Sequence, residues 1–185
     1  AWAVQADLNN PDSCQKLVDD AIQTAGRLDV LVNNAAVFPP STLKELSLEQ
    51  LLSDLRVNAW APFALTRALA SRTQQGRVVN ITDTRIIAQD PAHASYFLSK
   101  RMLADFTRLC AIEFAPSITV NAVAPGAILP PDEKSTDYLE SLARKLPLQR
   151  HGTPQDIADA VVFLLKADFI TGATIFVDGG QHLSE

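Results

Sequence analysis

"RVVNITDTRIIAQDPAHASYFLSKRMLADFTRLCAIEFAPSITVNAVAP", Arg77 to Pro125, places an apolar run on each side of one long helical stretch. "RVVNIT" (77–82) and "ITVNAVAP" (118–125) read as buried strands, and "SYFLSKRMLADFTRLCAIEF" (95–114) as the helix between them. The same alternation extends both ways along the chain. Upstream, "LDVLVNNAA" is a near-continuous apolar run, predicting a strand buried on both faces. Before it, "NNPDSCQKLVDDAIQTAG" is a punctuated helix, with Asn10 to cap it, Pro11 at its first position and Gly26 at its stop. "AWAVQA" at the start reads as a further short strand ending at Asp7. Ser47 and Gln50 form a capping-box pattern for a helix carrying Leu48, Leu51, Leu52, Leu55 and Ala59 on one face, with Pro62 expected to kink it. Downstream, 126–153 is Pro-rich and irregular, with one short helix near 135–145. A helix from Thr153 or Pro154 to about Lys166 follows, then a last strand in "ATIFVDGG" (173–180). Strand alternating with helix predicts one α/β domain over residues 1–185, a doubly wound parallel sheet with helices on both faces.

The 185 residues suffice to bury one core, and 47% hydrophobic with 20% charged residues is ordinary for a globular chain. A net charge of −5 without a basic run argues against nucleic acid or an anionic membrane surface as partner. No apolar run is long enough to span a bilayer, and no secretory pattern opens the sequence. Cys14 and Cys110 lack metal-ligand spacing and read as two reduced core thiols of a cytoplasmic protein. No metal site is predicted, and His93 and His151 read as surface or loop residues.

Open parallel sheets bind ligands beyond the C-terminal ends of their strands. Asp7, Asn33–Ala36, Thr82–Asp83 and Pro125–Gly126 all fall at such ends. Tyr96 and Lys100 share a helix face one turn apart. A free phenol titrates near ~10, and a neighbouring ammonium favours phenolate, so Lys100 is expected to lower the Tyr96 pKa.

"VLVNNAA", "RVNAWAPF", "NIT", "YFLSK", "NAVAPGAI", "RHGTPQDIADAVVFLL" and "FVDGG", in this order, resemble the short-chain dehydrogenase/reductase family. The resemblance runs the length of the chain and implies a Rossmann-like nicotinamide-dependent oxidoreductase. It makes Tyr96 the proton donor, and it makes Lys100 the residue that binds the nicotinamide ribose and tunes the Tyr. Asn58 would hold a water behind the Lys; the alternative is that it only satisfies a helix kink. Asn34, Ala35 and Ala36 would line the cofactor together with Thr82. Asp7 and Leu8 would meet the adenine, and Pro125, Gly126 and Ile128 would frame the nicotinamide. Asn33 reads as a strand-end hydrogen bonder and not as a contact.

The family's catalytic serine precedes the tyrosine by a fixed interval, and here that position is Asp83. Thr82 and Thr84 flank it, so a hydroxyl one residue away is the alternative. An acid at this place resembles the pteridine reductase and dihydromonapterin reductase branch. Phe38, four residues after Asn34, stands where that branch carries an aromatic that stacks on the pterin, although a loop ring packed on the core would read the same. A flat heteroaromatic suits such a ring, and a desolvated carboxyl of raised pKa suits protonation of a ring nitrogen. A ketone needs a neutral donor instead. The sequence departs from the branch at Ala36 and Val37, where a Ser is frequent. The acidic, Pro-rich loop after Ile128 shows no legible pterin pocket.

No glycine-rich turn joins a strand to a helix anywhere in the sequence. If the resemblance holds, Ala1 begins at the family's third strand and two strand–helix units are absent. A short family member or a partial record would read the same. The edge of "LDVLVNN" is then expected to be unpaired, and the chain alone to bind NADPH weakly. The expected activity is NADPH-dependent reduction of a dihydropterin or dihydrofolate, with NAD left open by the sequence. Alternatives are a general carbonyl or alcohol oxidoreductase of the same family, or a non-catalytic chain. The helices at 47–63 and 95–114 resemble those that form contacts between subunits, which implies a homo-oligomer, a dimer or tetramer.

Overall fold

The computed structural model describes residues 1–88, 90–130 and 136–184. Within them, four strands form one parallel sheet in sequential order: β1 (Val30–Asn33), β2 (Gly76–Ile81), β3 (Ile118–Pro125) and β4 (Thr174–Val177). Register runs Asn33 opposite Asn80, Asn80 opposite Ala122, and Pro125 opposite Val177, which brings the strand ends level. The helices are α1 (Pro11–Ala25), α2 (Leu48–Leu55), α3 (Ala61–Ala70), α4 (Ala94–Glu113), α5 (Thr136–Ala143) and α6 (Pro154–Lys166). The Rossmann-like α/β architecture expected from the sequence is the one observed.

Side chains alternate across a strand, so each central strand feeds two cores. Val78, Ile118 and Val120 pack with Leu69, Cys110 and Ala111 beneath α3 and α4. Val79 and Val123 face the other way, onto Leu164 of α6. A third cluster joins α1 to α3 through Cys14, Val18, Ala61 and Leu65. Both cysteines are free and buried in these cores. No helix among the described residues is long and apolar enough to cross a membrane.

The caps of α1 follow the sequence: the Asn10 side chain accepts from Asp12 N, and Gly26 closes the helix with a positive φ of 83°. Ser47 caps α2 by accepting from Gln50 N at 3.1 Å, but the Gln50 side chain donates to Pro40 O at 2.9 Å, so the box closes on one side only. In α6 the full box forms, between Thr153 and Asp156.

Two expectations need correction. "AWAVQA" forms no strand. It lies exposed, with no neighbouring strand among the described residues to take its N–H and C=O groups. β1 is not buried on both faces: Val30 and Val32 are 42% and 40% exposed, because α6 packs on β2, β3 and β4 and leaves β1 uncovered on that side. Among the described residues β1 also pairs with β2 alone, which leaves one of its edges open, as the resemblance implied. Around Pro62 the chain runs from α2 into α3 through a π turn, Arg56–Trp60, and Pro62 sits in the first turn of α3. The helix near 135–145 is α5; the acidic loop residues 131–135 lie outside the described residues.

Candidate active site

Asp83 follows β2 and opens a 3-10 turn, Thr84–Ile87, whose first free amide it caps: Asp83 Oδ1 accepts from Arg85 N at 2.8 Å. Its other oxygen, Oδ2, accepts from the Tyr96 hydroxyl at 3.1 Å. The two flanking hydroxyls are turned away. Thr82 Oγ1 donates to Val123 O at 3.0 Å, and Thr84 Oγ1 donates to Asp178 Oδ2. The acid, and not a neighbouring threonine, is the group that faces the tyrosine.

Tyr96 lies in the first turn of α4, and Lys100 is one turn on. Lys100 Nζ donates to Ile81 O at 2.8 Å and lies 5.8 Å from the Tyr96 ring centroid. All three groups are removed from water, and burial sets their titration. Burial raises Asp83 above the ordinary carboxylate range, opposed by Arg85 and the hydrogen bonds it accepts. Burial first, and then the Asp83 charge, raises the Tyr96 phenol. The expectation that Lys100 lowers Tyr96 is therefore overturned: the phenol is held neutral as a donor to the carboxylate.

Burial lowers Lys100 from 10.5 to about 8, opposed by Asp83. The folded state thus binds the proton less tightly than the unfolded one. Stability is lost where Lys100 must be charged, below about 8, and is regained as pH rises toward the unfolded value. Lys100→Met should exceed the parent in stability most at pH 7. That margin should shrink by roughly 3 kcal/mol between pH 8 and 10.5, as urea midpoints at each pH would show.

Phe38 meets Tyr96 edge to face, with centroids 4.5 Å apart at 81°. On another side it stacks on His93, at 4.0 Å and 12°. The Phe38 loop is fastened to the start of α4. Ser41 N donates to Ala92 O and Ala94 N to Ser41 O, both at 2.8 Å. Ser95 Oγ donates to the buried carboxylate of Asp54 and lies 2.8 Å from Ser41 Oγ. Phe38 is 41% exposed, so it keeps free surface and is not a core residue. Sequence reasoning missed His93, Ser41 and Asp54.

Asn58 lies in the π turn and is fully buried. Its Oδ1 accepts from Val37 N, and its Nδ2 donates to Val37 O, both at 2.9 Å, and to Ser99 Oγ at 3.0 Å. The carboxamide thus anchors the loop before Phe38 and ties it to α4. Removing it strands buried polar groups. Asn58→Ala should cost about 2 kcal/mol, read as a lower urea midpoint at an unchanged slope. Asn33 is a strand-end hydrogen bonder, donating to Asn80 Oδ1 at 2.8 Å.

Leu8, Asn34 and Ala35 come together in an apolar cleft of about 290 Å³ beside β1, with Val32 and Pro62. Asp7 does not line it; its carboxylate accepts from Asn9 N at 2.9 Å. Ala36 is exposed on the loop leading to Phe38. Pro125, Gly126 and Ile128 follow β3 across the sheet edge. Gly126 has no room for a side chain: a Cβ there would lie 2.6 Å from Asp178 Cβ. Among the described residues, no cluster of His, Cys, Asp or Glu could hold a metal ion.

Comparison with known proteins agrees with this geometry. The model of a family described as enoyl-(acyl carrier protein) reductase matches residues 1–182. A 3-oxoacyl-[acyl-carrier-protein] reductase of Synechocystis is 35% identical, over 98% of this chain and 76% of that protein. Pteridine reductase 1 of Leishmania tarentolae is 37% identical, over 92% of this chain and 68% of its own. The solved structure of FolM alternative dihydrofolate reductase 1 from Brucella canis, complexed with NADP, superposes with a TM-score of 0.94. It is 36% identical and covers 100% of this chain and 74% of that one. The chain belongs to the short-chain dehydrogenase/reductase family, in its pteridine reductase-like branch.

Proposed function

We propose that this NADP-dependent oxidoreductase reduces a pterin, a dihydropterin or dihydrofolate. The observation that carries the substrate is the Tyr96 hydroxyl donating to the Asp83 carboxylate at the edge of Phe38. An imine-like C=N bond of a flat ring takes hydride at carbon and a proton at nitrogen. When bound, the reduced nicotinamide supplies the hydride. The residues present fit such a cofactor: the glycine at 126 lets the backbone run close to the sheet edge, and the Lys100 ammonium sits at the β2 end. Lys100 would hold the ribose, Asn34, Ala35, Ala36 and Thr82 would line the bound cofactor, and Pro125, Gly126 and Ile128 would frame the nicotinamide.

Tyr96 and Asp83 share one proton position, between a phenol that burial keeps protonated and a carboxyl that burial makes easier to protonate. Either can pass that proton to a ring nitrogen. Phe38 offers the flat face on which the ring would lie. A ketone would place its developing oxyanion beside a carboxylate, which repels it.

The 35% identity to a 3-oxoacyl-[acyl-carrier-protein] reductase favours a second reading, carbonyl reduction. The turning away of Thr82 and Thr84 counts against it. The test offers the protein NADPH with dihydrobiopterin or dihydromonapterin, and separately with a panel of ketones, following nicotinamide absorbance. Turnover of ketones without pterins would overturn the pterin reading. Leu98, Met102, Leu109 and Ile112 of α4 and Leu48 of α2 are exposed apolar residues, which supports a homo-oligomer. A cytoplasmic location accords with the two free, buried thiols.

A further inference from the structure

Asp83 is not the only carboxylate within reach of Arg85. The Arg85 guanidinium lies over the Phe97 ring, 4.7 Å from its centroid, and is shared by two acids. Its Nη1 donates to Asp90 Oδ2 at 3.1 Å. Its Nε stands 3.6 Å from Asp83 Oδ1, beyond hydrogen-bond length. The direct bond therefore goes to Asp90, and Asp83 receives only a backbone amide and the Tyr96 hydroxyl. Asp90 is itself held, because its Oδ1 accepts from Ala92 N at 2.8 Å; His93 Nδ1 stands 3.4 Å from its Oδ2 without a hydrogen bond. Both carboxylates are mostly sheltered, with side chains 16% and 17% exposed, so a full guanidinium pair with either would be strong.

We infer that Asp90 is a positioning residue for the reaction: by taking the guanidinium of Arg85, it keeps that cation from closing on Asp83 and leaves the acid able to carry a proton. The titratable and charged groups facing Asp83 are Arg85 on its own turn and the Tyr96 phenol and Lys100 on α4. Asp178 and His182, from the C-terminal turn, are engaged at Thr84 and with each other. Of these, Arg85 is the one whose distance to Asp83 a neighbouring carboxylate controls. The inference rests on the reading of Asp83 as a proton source, so its test is made without substrate.

The protein would be labelled with ¹³C at aspartate carboxyl carbons, with the Asp83 signal assigned through Asp83→Asn, and titrated by NMR. In Asp90→Ser the hydroxyl can still accept from Ala92 N but no longer reaches Arg85, and the Asp83 midpoint should fall by about one pH unit. Asp90→Asn keeps an acceptor for Arg85 and should fall by less. Arg85→Met should raise the midpoint, and adding Asp90→Ser to it should bring no further change. An unmoved midpoint in Asp90→Ser would overturn the inference. So would a fall that persists without Arg85, since that would be direct repulsion between the two acids. Asp90→Asn falling as far as Asp90→Ser would also count against it. A protein inactive on pterins would defeat the substrate reading and leave this titration just as decisive.

Discussion

Tyr96→Phe should lower turnover of a dihydropterin by about 10²- to 10⁴-fold, the usual contribution of a positioned general acid. The substitution removes one oxygen from a residue that is 7% exposed and packed edge-on against Phe38 and Phe97, so the ring contacts survive. NADPH affinity should change by no more than a few-fold, because the Lys100 bond to Ile81 O is independent of the phenol. Stability should fall by about 1 kcal/mol, since the sheltered Asp83 carboxylate loses the donor that stabilises it. Single-turnover kinetics with a saturating cofactor would read the chemical step directly. A kcat within ten-fold of the parent would mean that Asp83 delivers the proton alone.

The second large effect is expected at Asp83. Asp83→Ser replaces the acid with the neutral hydroxyl that a carbonyl reductase uses, and the side chain still starts from the same turn. Pterin turnover should fall by about 10²-fold, while reduction of ketones should rise, because the repulsion of an oxyanion is gone. The Tyr96 phenol should titrate lower in this variant, since the Asp83 charge and hydrogen bond both hold it up. Ultraviolet difference titration of phenolate measures that without any substrate. Full pterin activity in Asp83→Ser would remove the proton role assigned to the acid.

The order of strands and helices was legible from apolar runs and their punctuation, because the central strands β2 and β3 are buried on both sides and carry almost no polar break. The edge strand misled for the same reason: an apolar run says nothing of whether a helix covers it, and Val30 and Val32 remain 42% and 40% exposed. "AWAVQA" has the residues of a strand, but strand formation also needs a neighbour, which lies outside any local pattern. The pairing of Tyr96 with Asp83 followed from the family resemblance, which sets the interval between them, and from Asp83's place at a strand end. Its electrostatics did not, because charge-to-charge reasoning from sequence omits burial, and burial dominates all three groups. His93 was dismissed because a lone histidine in a polar loop carries no periodic signal. Its stack on Phe38 depends on the Ser41 bridge, made across more than fifty residues of chain.

That bridge has a thermodynamic consequence for recognition. Phe38 sits on a loop whose backbone is fastened at Val37 by Asn58 and at Ser41 by α4, so the loop is already ordered before any ligand arrives. Ordering a free loop would subtract from affinity at every binding event. Here that entropy is charged once, to folding. Differences in affinity among flat ligands should therefore report the quality of the ring contact itself, undiluted by how well each ligand organises the loop beneath it.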